Sequence, residues 1–454
     1  IISKTLGQNL RMIFIYFYLL LIYKMAEVAS NLLNYSPEGT RRRAVSSRGY
    51  RTLTPASNGS NFIAGNTINI DLPGNVQNTF FDFGSSYLKL RIQNDGTGAA
   101  MALEGGSGIY SMIKKIELVS GSSVLSTIDE YGALVNKFLT SDAAQQFKIN
   151  TGAILAGTNS LPVSGTSIAN NAFQTFCIPL VLTPLFNSAK YIPAFSRDQI
   201  RMRITLNSAA AGVISGAAPT NAQIKVDNVE FNCYMVELSN DAMRMVNDMT
   251  GGQYNIVVND FRHAASTVAA AATTLNAVVG FSFSSLNRVI VLHRPQATIN
   301  AEAAASIGNR ATATLTQLSV LVNGEQYPQR PIKDIGVTAE GGAEPLAEAL
   351  IADRSLGYFG HDSSTGTAVA FCIANPAGTA NATVGNYFLS VDMESMRADD
   401  ADKLYAGVDT LGAVVSVNSK YNTAPEAFRV DCYAEYTMSL MLDMNGTGTF
   451  AVAL

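Results

Sequence analysis

The residues able to do chemistry are few and scattered. His263 follows Phe261-Arg262, His293 sits in VIVLHRP, and His361 lies in a Gly-Ser stretch. No two are close in sequence, and none has a carboxylate or cysteine at the spacing a zinc site needs. The cysteines, Cys177, Cys233, Cys372 and Cys432, lie far apart with no C-x-x-C pair. Sparse cysteines in a long chain are expected to be free, buried thiols. Glu394, Asp399, Asp400 and Asp402 form an acidic cluster, but RADDADKLYAG lacks the alternating ligands, glycine and terminal glutamate of a calcium loop. Carboxylates in the first turn of a short helix account for it. Nucleophile-elbow, phosphate-loop and dinucleotide fingerprints do not occur. Glu104-Gly105-Gly106-Ser107-Gly108 has no lysine to complete a phosphate cradle and reads as a loop. The expectation is a non-enzymatic chain with no catalytic residue, metal ligand, cofactor or small-molecule substrate.

One concentration of charge stands out: Arg41, Arg42, Arg43, Arg48 and Arg51, on a Ser-, Gly-, Thr- and Pro-rich stretch with Tyr50 as its aromatic. Guanidiniums on a flexible arm neutralise phosphates without reading sequence. The competing readings are a solvated tail, or an arm lying on a neighbouring subunit.

Composition narrows what must position these residues. The chain has 454 residues, 47% apolar and 15% charged, with no tryptophan and a formal net charge of -4. Soluble proteins average roughly 25% charged residues. The apolar fraction and small net charge exclude a mainly disordered chain, and the length predicts two or three domains. A surface so poor in charge is hard to keep soluble alone, so much of the exterior is expected to be covered in an assembly.

Met12 to Tyr23 is a 12-residue apolar run flanked by Arg11 and Lys24. A bilayer span needs about 20 such residues, and no small-x-small cleavage site follows. Met25 then opens MAEVASNLL, so residues 1–24 are read as an upstream leader, with a membrane- or partner-facing anchor as the alternative.

Period-two alternation dominates the rest. Ile68, Ile70 and Leu72, then Leu88, Leu90 and Ile92, then Ile200, Met202, Ile204 and Leu206 alternate with polar residues, as do Val229, Phe231 and Cys233. Leu318, Val320 and Val322, Tyr387, Leu389 and Val391, and Phe428, Val430 and Cys432 repeat the pattern in the second half. Each predicts a strand with one face on a core. Helical spacing is confined to 129–140, 239–249, 344–356 and 396–406. The halves share one plan at an offset near 200 residues. Ser85-Ser86 recurs as Ser284-Ser285, and Cys233-Tyr234 as Cys432-Tyr433. A hairpin turning at Gly121 recurs as one turning at Asn323-Gly324. Ser239 or Asn240 caps a helix ending at Thr250-Gly251-Gly252, which marks the boundary. The fold expected is all-β, two tandem jelly-roll β-sandwiches with short inserted helices. The boundaries are a leader at 1–24, a flexible basic arm at 25–61, a first jelly roll at 62–238, a linker helix at 239–252, a second jelly roll at 253–443 and a tail at 444–454.

INIDLPGNVQNTFFDFGSSYLKLRIQN, SMIKKIELVSGSSVLSTIDEY and FCIPLVLTPLFNSAKYIPAF in the first half, with GGQYNIVVNDFRH, FSFSSLNRVIVLHRPQ and LSVLVNGEQYPQRPIKD in the second, resemble double jelly-roll major capsid proteins. The similarity is to those of polinton-like viruses and related small eukaryotic dsDNA viruses, and it runs over roughly 62 to 443. The resemblance implies a homotrimer forming a pseudo-hexameric capsomer, which contacts neighbouring capsomers, penton and minor or cement proteins in an icosahedral virion. It also implies that the basic arm faces inward, toward genomic DNA. The competing classes are a β-sandwich carbohydrate-active enzyme or binding module, or a viral fibre or surface protein.

Overall fold

Alternation in the sequence becomes paired sheets in each half of the chain. The computed structural model describes residues 45–56, 61–141, 143, 145–159, 165–188, 190–215, 218–301, 306–333, 342–353, 385–395, 406–446 and 448–453. The first half begins with β1 (Val45–Leu53), β2 (Asn61–Ile63), β3 (Thr67–Asp71), β4 (Thr79–Asn94), β5 (Met101–Leu103), β6 (Ile113–Ser120) and β7 (Ser123–Asp129). It continues with β8 (Ser167–Ile168), β9 (Phe173–Ile178), β10 (Ile192–Pro193), β11 (Ile200–Leu206), β12 (Val213–Ser215) and β13 (Ile224–Leu238). The second half holds β14 (Gln253–Val268), β15 (Thr274–Val279), β16 (Leu286–Pro295), β17 (Leu315–Val322) and β18 (Glu325–Ile332). After these come β19 (Leu389–Asp392), β20 (Val415–Tyr421), β21 (Phe428–Asp443) and β22 (Phe450–Ala453).

The two halves have the same sheet topology. The first pairs its main strands as β1-β13-β4-β10 and β3-β11-β6-β7; the second as β14-β21-β16-β19 and β15-β20-β17-β18. Counting only these main strands in chain order, both halves read first-eighth-third-sixth and second-seventh-fourth-fifth. All pairs are antiparallel. That order is the doubled Greek key of a jelly roll, so the fold is two jelly rolls in tandem. A small β12-β5-β8 sheet decorates the first.

The alternating residues line the cores. Ile68, Ile70, Ile200, Met202, Ile204 and Leu206 are buried on one sheet of the first roll, and Leu88, Leu90, Ile92, Phe231 and Cys233 on the other. Each such side chain withdrawn from water contributes roughly 1.5–3 kcal/mol before entropy is counted. Between the rolls the helix Asn240–Thr250 is capped by Ser239, whose hydroxyl accepts from the Ala242 N–H at 3.3 Å, and it ends at Gly251 with φ 62. Helices Tyr131–Ser141 and Ala343–Ala352 follow the two hairpins. Helices Gln145–Ile149 and Thr151–Ala156 were not expected from the spacing. Most of the helix expected at 396–406 lies outside the described residues.

Two expectations about the ends need correction. The stretch 25–61 was read as an arm preceding the first strand, yet β1 lies within it and pairs with β13 from Val45↔Leu238 to Leu53↔Phe231. Its sequence, VSSRGYRTL, shows no alternation because every residue except Leu53 is exposed. The C-terminal stretch read as a tail contains β22, which pairs with β21 and buries Phe450.

Candidate functional site: the seam between the jelly rolls

Where β7 ends, Glu130 takes a positive φ of 50° and turns the chain into the helix Tyr131–Ser141. This corner of the first roll is pressed onto the outer face of the β14-β21-β16 sheet of the second. Ser126 on β7 donates its hydroxyl to Asp260 on β14 at 2.9 Å, and Tyr436 donates to the other carboxylate oxygen at 2.8 Å. Phe138, on the helix, meets Phe261 edge-on at 5.8 Å between centroids.

Glu130 is the centre of the contact. Arg294 donates to its carboxylate at 2.8 Å, Arg429 lies 3.3 Å away, and the Tyr433 hydroxyl donates to its backbone carbonyl at 3.0 Å. Arg294 also donates from Nε to Asp431 at 2.7 Å, and Asp431 further receives Arg429 at 2.8 Å and contacts His263 Nε2 at 2.8 Å. Burial alone would raise the Asp431 carboxyl, but Arg294, His263 and Arg429 together hold it well below the usual carboxylate range. Arg294 and Asp431 are both buried, so the network has a centre withdrawn from water, with Glu130 and Arg429 partly exposed at its rim. Such a network costs desolvation, which close geometry and complete hydrogen bonding offset.

Two further groups extend the seam. Lys137, on the same helix, donates to Asp353 at 2.6 Å; Asp353 also pairs with Arg288, which in turn pairs with Glu435. On the other side, Glu104 accepts from Asn136 at 3.2 Å and is pushed up to about 7 by burial, with Arg310 and Arg294 pulling it partly back. Arg310 is fully buried and drawn down to about 10 for the same reason. Gly308 closes over Glu104 and Asn136 so tightly that a Cβ there would meet Glu104 Oε1 at 1.9 Å and Asn136 Nδ2 at 2.5 Å.

The residues singled out in the sequence lie elsewhere or take other parts. Arg41, Arg42 and Arg43 lie outside the described residues; Arg48 and Arg51 are exposed on β1, opposite Val236 and Cys233. His361, Cys372, Asp399, Asp400 and Asp402 are also outside. His293 is buried against the Tyr421 hydroxyl at 3.0 Å and pushed down to about 4 by burial, so it is neutral. Cys177, Cys233 and Cys432 are free; the last two are buried and pushed up to about 12. Among the described residues no group of three or more His, Cys, Asp or Glu could hold a metal ion, and no helix is long and apolar enough to cross a membrane. A groove of about 760 Å³ beside β7 is lined by residues such as Ser123, Thr127, Arg262, Phe283, Tyr436 and Val452, with no carboxylate, histidine or cysteine among them.

Reading the sequence missed Glu130, Arg294, Asp431, Arg429, Lys137 and Asp353. One signal was available: Arg294 and Asp431 are charges at the polar positions of otherwise apolar strands, VIVLHRP and FRVDCY.

The fold and the seam define a class, the double jelly-roll proteins. No protein-family profile and no curated protein sequence matches the chain. Solved structures do, and they are viral capsid proteins of that fold. The PBCV-1 virus capsid is similar at 12% identity and TM-score 0.59, covering 91% of this chain and 98% of that one. The Faustovirus major capsid protein is similar at 9% identity and TM-score 0.56, covering 90% and 92%. The Sputnik virophage structure is similar at 10% identity and TM-score 0.56, covering 93% and 91%.

Proposed function

We propose that this chain is the major capsid protein of an icosahedral virus. Three copies form a pseudo-hexameric capsomer, and capsomers tile a shell that encloses a DNA genome. Its place is the virion, and its partners are neighbouring capsomers, penton proteins and minor or cement proteins. The observation that carries the reading is the doubled jelly roll with one strand order, joined across a seam with a buried ionic centre and similar to capsid proteins over 90–93% of the chain. Two like walls per chain let three chains surround a point with six walls under closed three-fold symmetry. The low surface charge fits, because faces that meet other capsomers gain from having little charge to desolvate. The role is structural: in the seam Glu130, Asp431, Asp353 and Glu435 are paired with arginines or a lysine, while Asp260 and Glu104 accept hydrogen bonds from neutral side chains.

The basic residues Arg41, Arg42, Arg43, Arg48 and Arg51 are read as the inward-facing arm and its root on β1, in contact with genome or a neighbouring subunit. Size exclusion with light scattering should give a particle of three times 48.3 kDa, and electron microscopy should show six-cornered particles or shells. In the same preparation, replacing Arg41, Arg42 and Arg43 with serine should weaken DNA binding most at low salt, since that binding depends on counterion release. A monomer with hydrolase activity would overturn the capsid reading; unchanged DNA binding would remove the role of the arm.

A further inference from the structure

The contact between the two jelly rolls joins two particular sheet edges. β7 is the edge of β3-β11-β6-β7, and β14 is the edge of β14-β21-β16-β19. Among the main strands β7 is the fifth of its roll and β14 the first of its own. The chain contains each of these positions once more: β18 is the fifth strand of the second roll, and β1 the first strand of the first. Both are sheet edges. Within the chain, among the described residues, neither is covered as its counterpart is. β1 buries only Leu53 and β18 only Ile332. Tyr50, 58% exposed, stands on this open edge against Tyr234 at 5.0 Å and Tyr87 at 6.1 Å. Long open edges are prone to pair with another chain, and clustered tyrosines favour the core of an interface.

We infer that these edges meet between copies: β18 of one chain lies against β1 of the next, repeating between molecules the contact that β7 and β14 make within one. This rests on the capsomer reading and assigns its subunit interface. A contact between two different surfaces propagates head to tail, and it closes into a ring only when its rotations sum to a full turn. Each chain supplies one step inside itself and one to its neighbour. Three chains therefore close the ring if each step is about one sixth of a turn.

Register makes the assignment specific. In the second roll His263 lies opposite Tyr433, and Asp260 opposite Tyr436. In the first, Tyr50 lies opposite Tyr234, the counterpart of Tyr433, and Ser47 opposite Glu237. Ser47 therefore holds the place of Asp260. Ser126, which bonds Asp260, lies opposite Leu118 on β6; Val320, at the same place on β17, lies opposite Tyr327, two residues from the exposed Gln329. Ser47 of one chain and Gln329 of the next should be neighbours.

The test is a double variant, Ser47→Cys with Gln329→Cys, treated as the assembled protein with a short bismaleimide and run on a denaturing gel. Both sites are exposed, and each single variant carries the native cysteines as a control. Covalent dimers and trimers in the double variant alone are the expected result. A particle that is trimeric by light scattering but forms no cross-links overturns this strand assignment and leaves the capsomer reading standing. Linked dimers from Ser47→Cys alone place β1 against β1 across a two-fold axis and also overturn it. A monomer overturns both. Independently, Tyr50→Ala should weaken trimer association roughly tenfold or more in a dilution series, as removal of an interface aromatic does; unchanged association would count against the assignment.

Discussion

Glu104 is an acid held where water cannot reach it, and its protonation is a handle on the seam. Burial pushes its carboxyl up to about 7, above the ordinary 4.5. Between those values it is protonated in the folded chain and ionised in the unfolded one. The stability it contributes is therefore fully present below about pH 4.5 and declines as pH rises to about 7. Asp260, raised by burial to about 6, acts with the same sign at slightly lower pH. His293 acts oppositely: lowered by burial to about 4, it is neutral in the fold and costs stability as pH falls from 6.5 toward 4. These contributions cancel in part, so the informative quantity is a difference. Glu104→Gln keeps an acceptor for Asn136 and removes the titration. The unfolding free energy of the variant relative to the parent, from chemical denaturation, should increase from about pH 5 to about pH 8, with a span of a few kcal/mol at most, at about 1.4 kcal/mol per pH unit. A difference that stays flat would mean that Glu104 does not titrate in that window.

At the scale of elements, the hairpins carry both the repeat and the edges used for docking. The turn joining β17 and β18 places Asn323 at φ 50° and Gly324 at φ 89°, the left-handed pair that a two-residue hairpin requires. A Cβ at Gly324 would meet nothing within 4 Å, so any cost of Gly324→Ala is one of backbone conformation. That cost should be about 1–2 kcal/mol, visible as a lower midpoint in chemical unfolding. The equivalent Gly121→Ala, at φ 56°, should cost about the same, because the near atom is the carboxylate end of the half-buried Asp198, which can swing aside. A cost at Gly121 several kcal/mol above that at Gly324 would contradict this account. The Asn-Gly hairpin and the Cys-Tyr strands were legible from local chemistry. β1 was not, because a strand exposed on both faces has no reason to alternate.

At the scale of the whole molecule, the two rolls behave as one body because the outer face of β21 is a second core. Tyr433, Asp431, Ile290 and Leu292 are buried although they point away from the interior of their own sandwich. Separating the rolls would strip Glu130 from Arg294 and expose these apolar side chains, at roughly 1.5–3 kcal/mol for each large one. Calorimetry of the intact chain should therefore show a single unfolding transition. The second roll expressed alone, from 253 onward, should be insoluble or lack fixed tertiary packing. Two resolved transitions, or a soluble and well-packed second roll, would show the seam to be weak.

Sequence alone determined the all-β class, the doubling and the hairpin positions, because alternation, turn chemistry and repeat spacing are local properties of a chain. It also indicated which side chains face the core of their own sandwich. What lies over the opposite face is not a local property. On β13 the outward residues Glu230 and Tyr234 remain partly open, while on β21 the outward residues Asp431 and Tyr433 are sealed by the first roll. The two patterns read alike in sequence, since both alternate apolar with polar. Only tertiary structure decided between them, by bringing Glu130 from 164 residues away onto Arg294. Burial by a distant domain turned charges that read as a wetted face into the buried network that joins the two rolls.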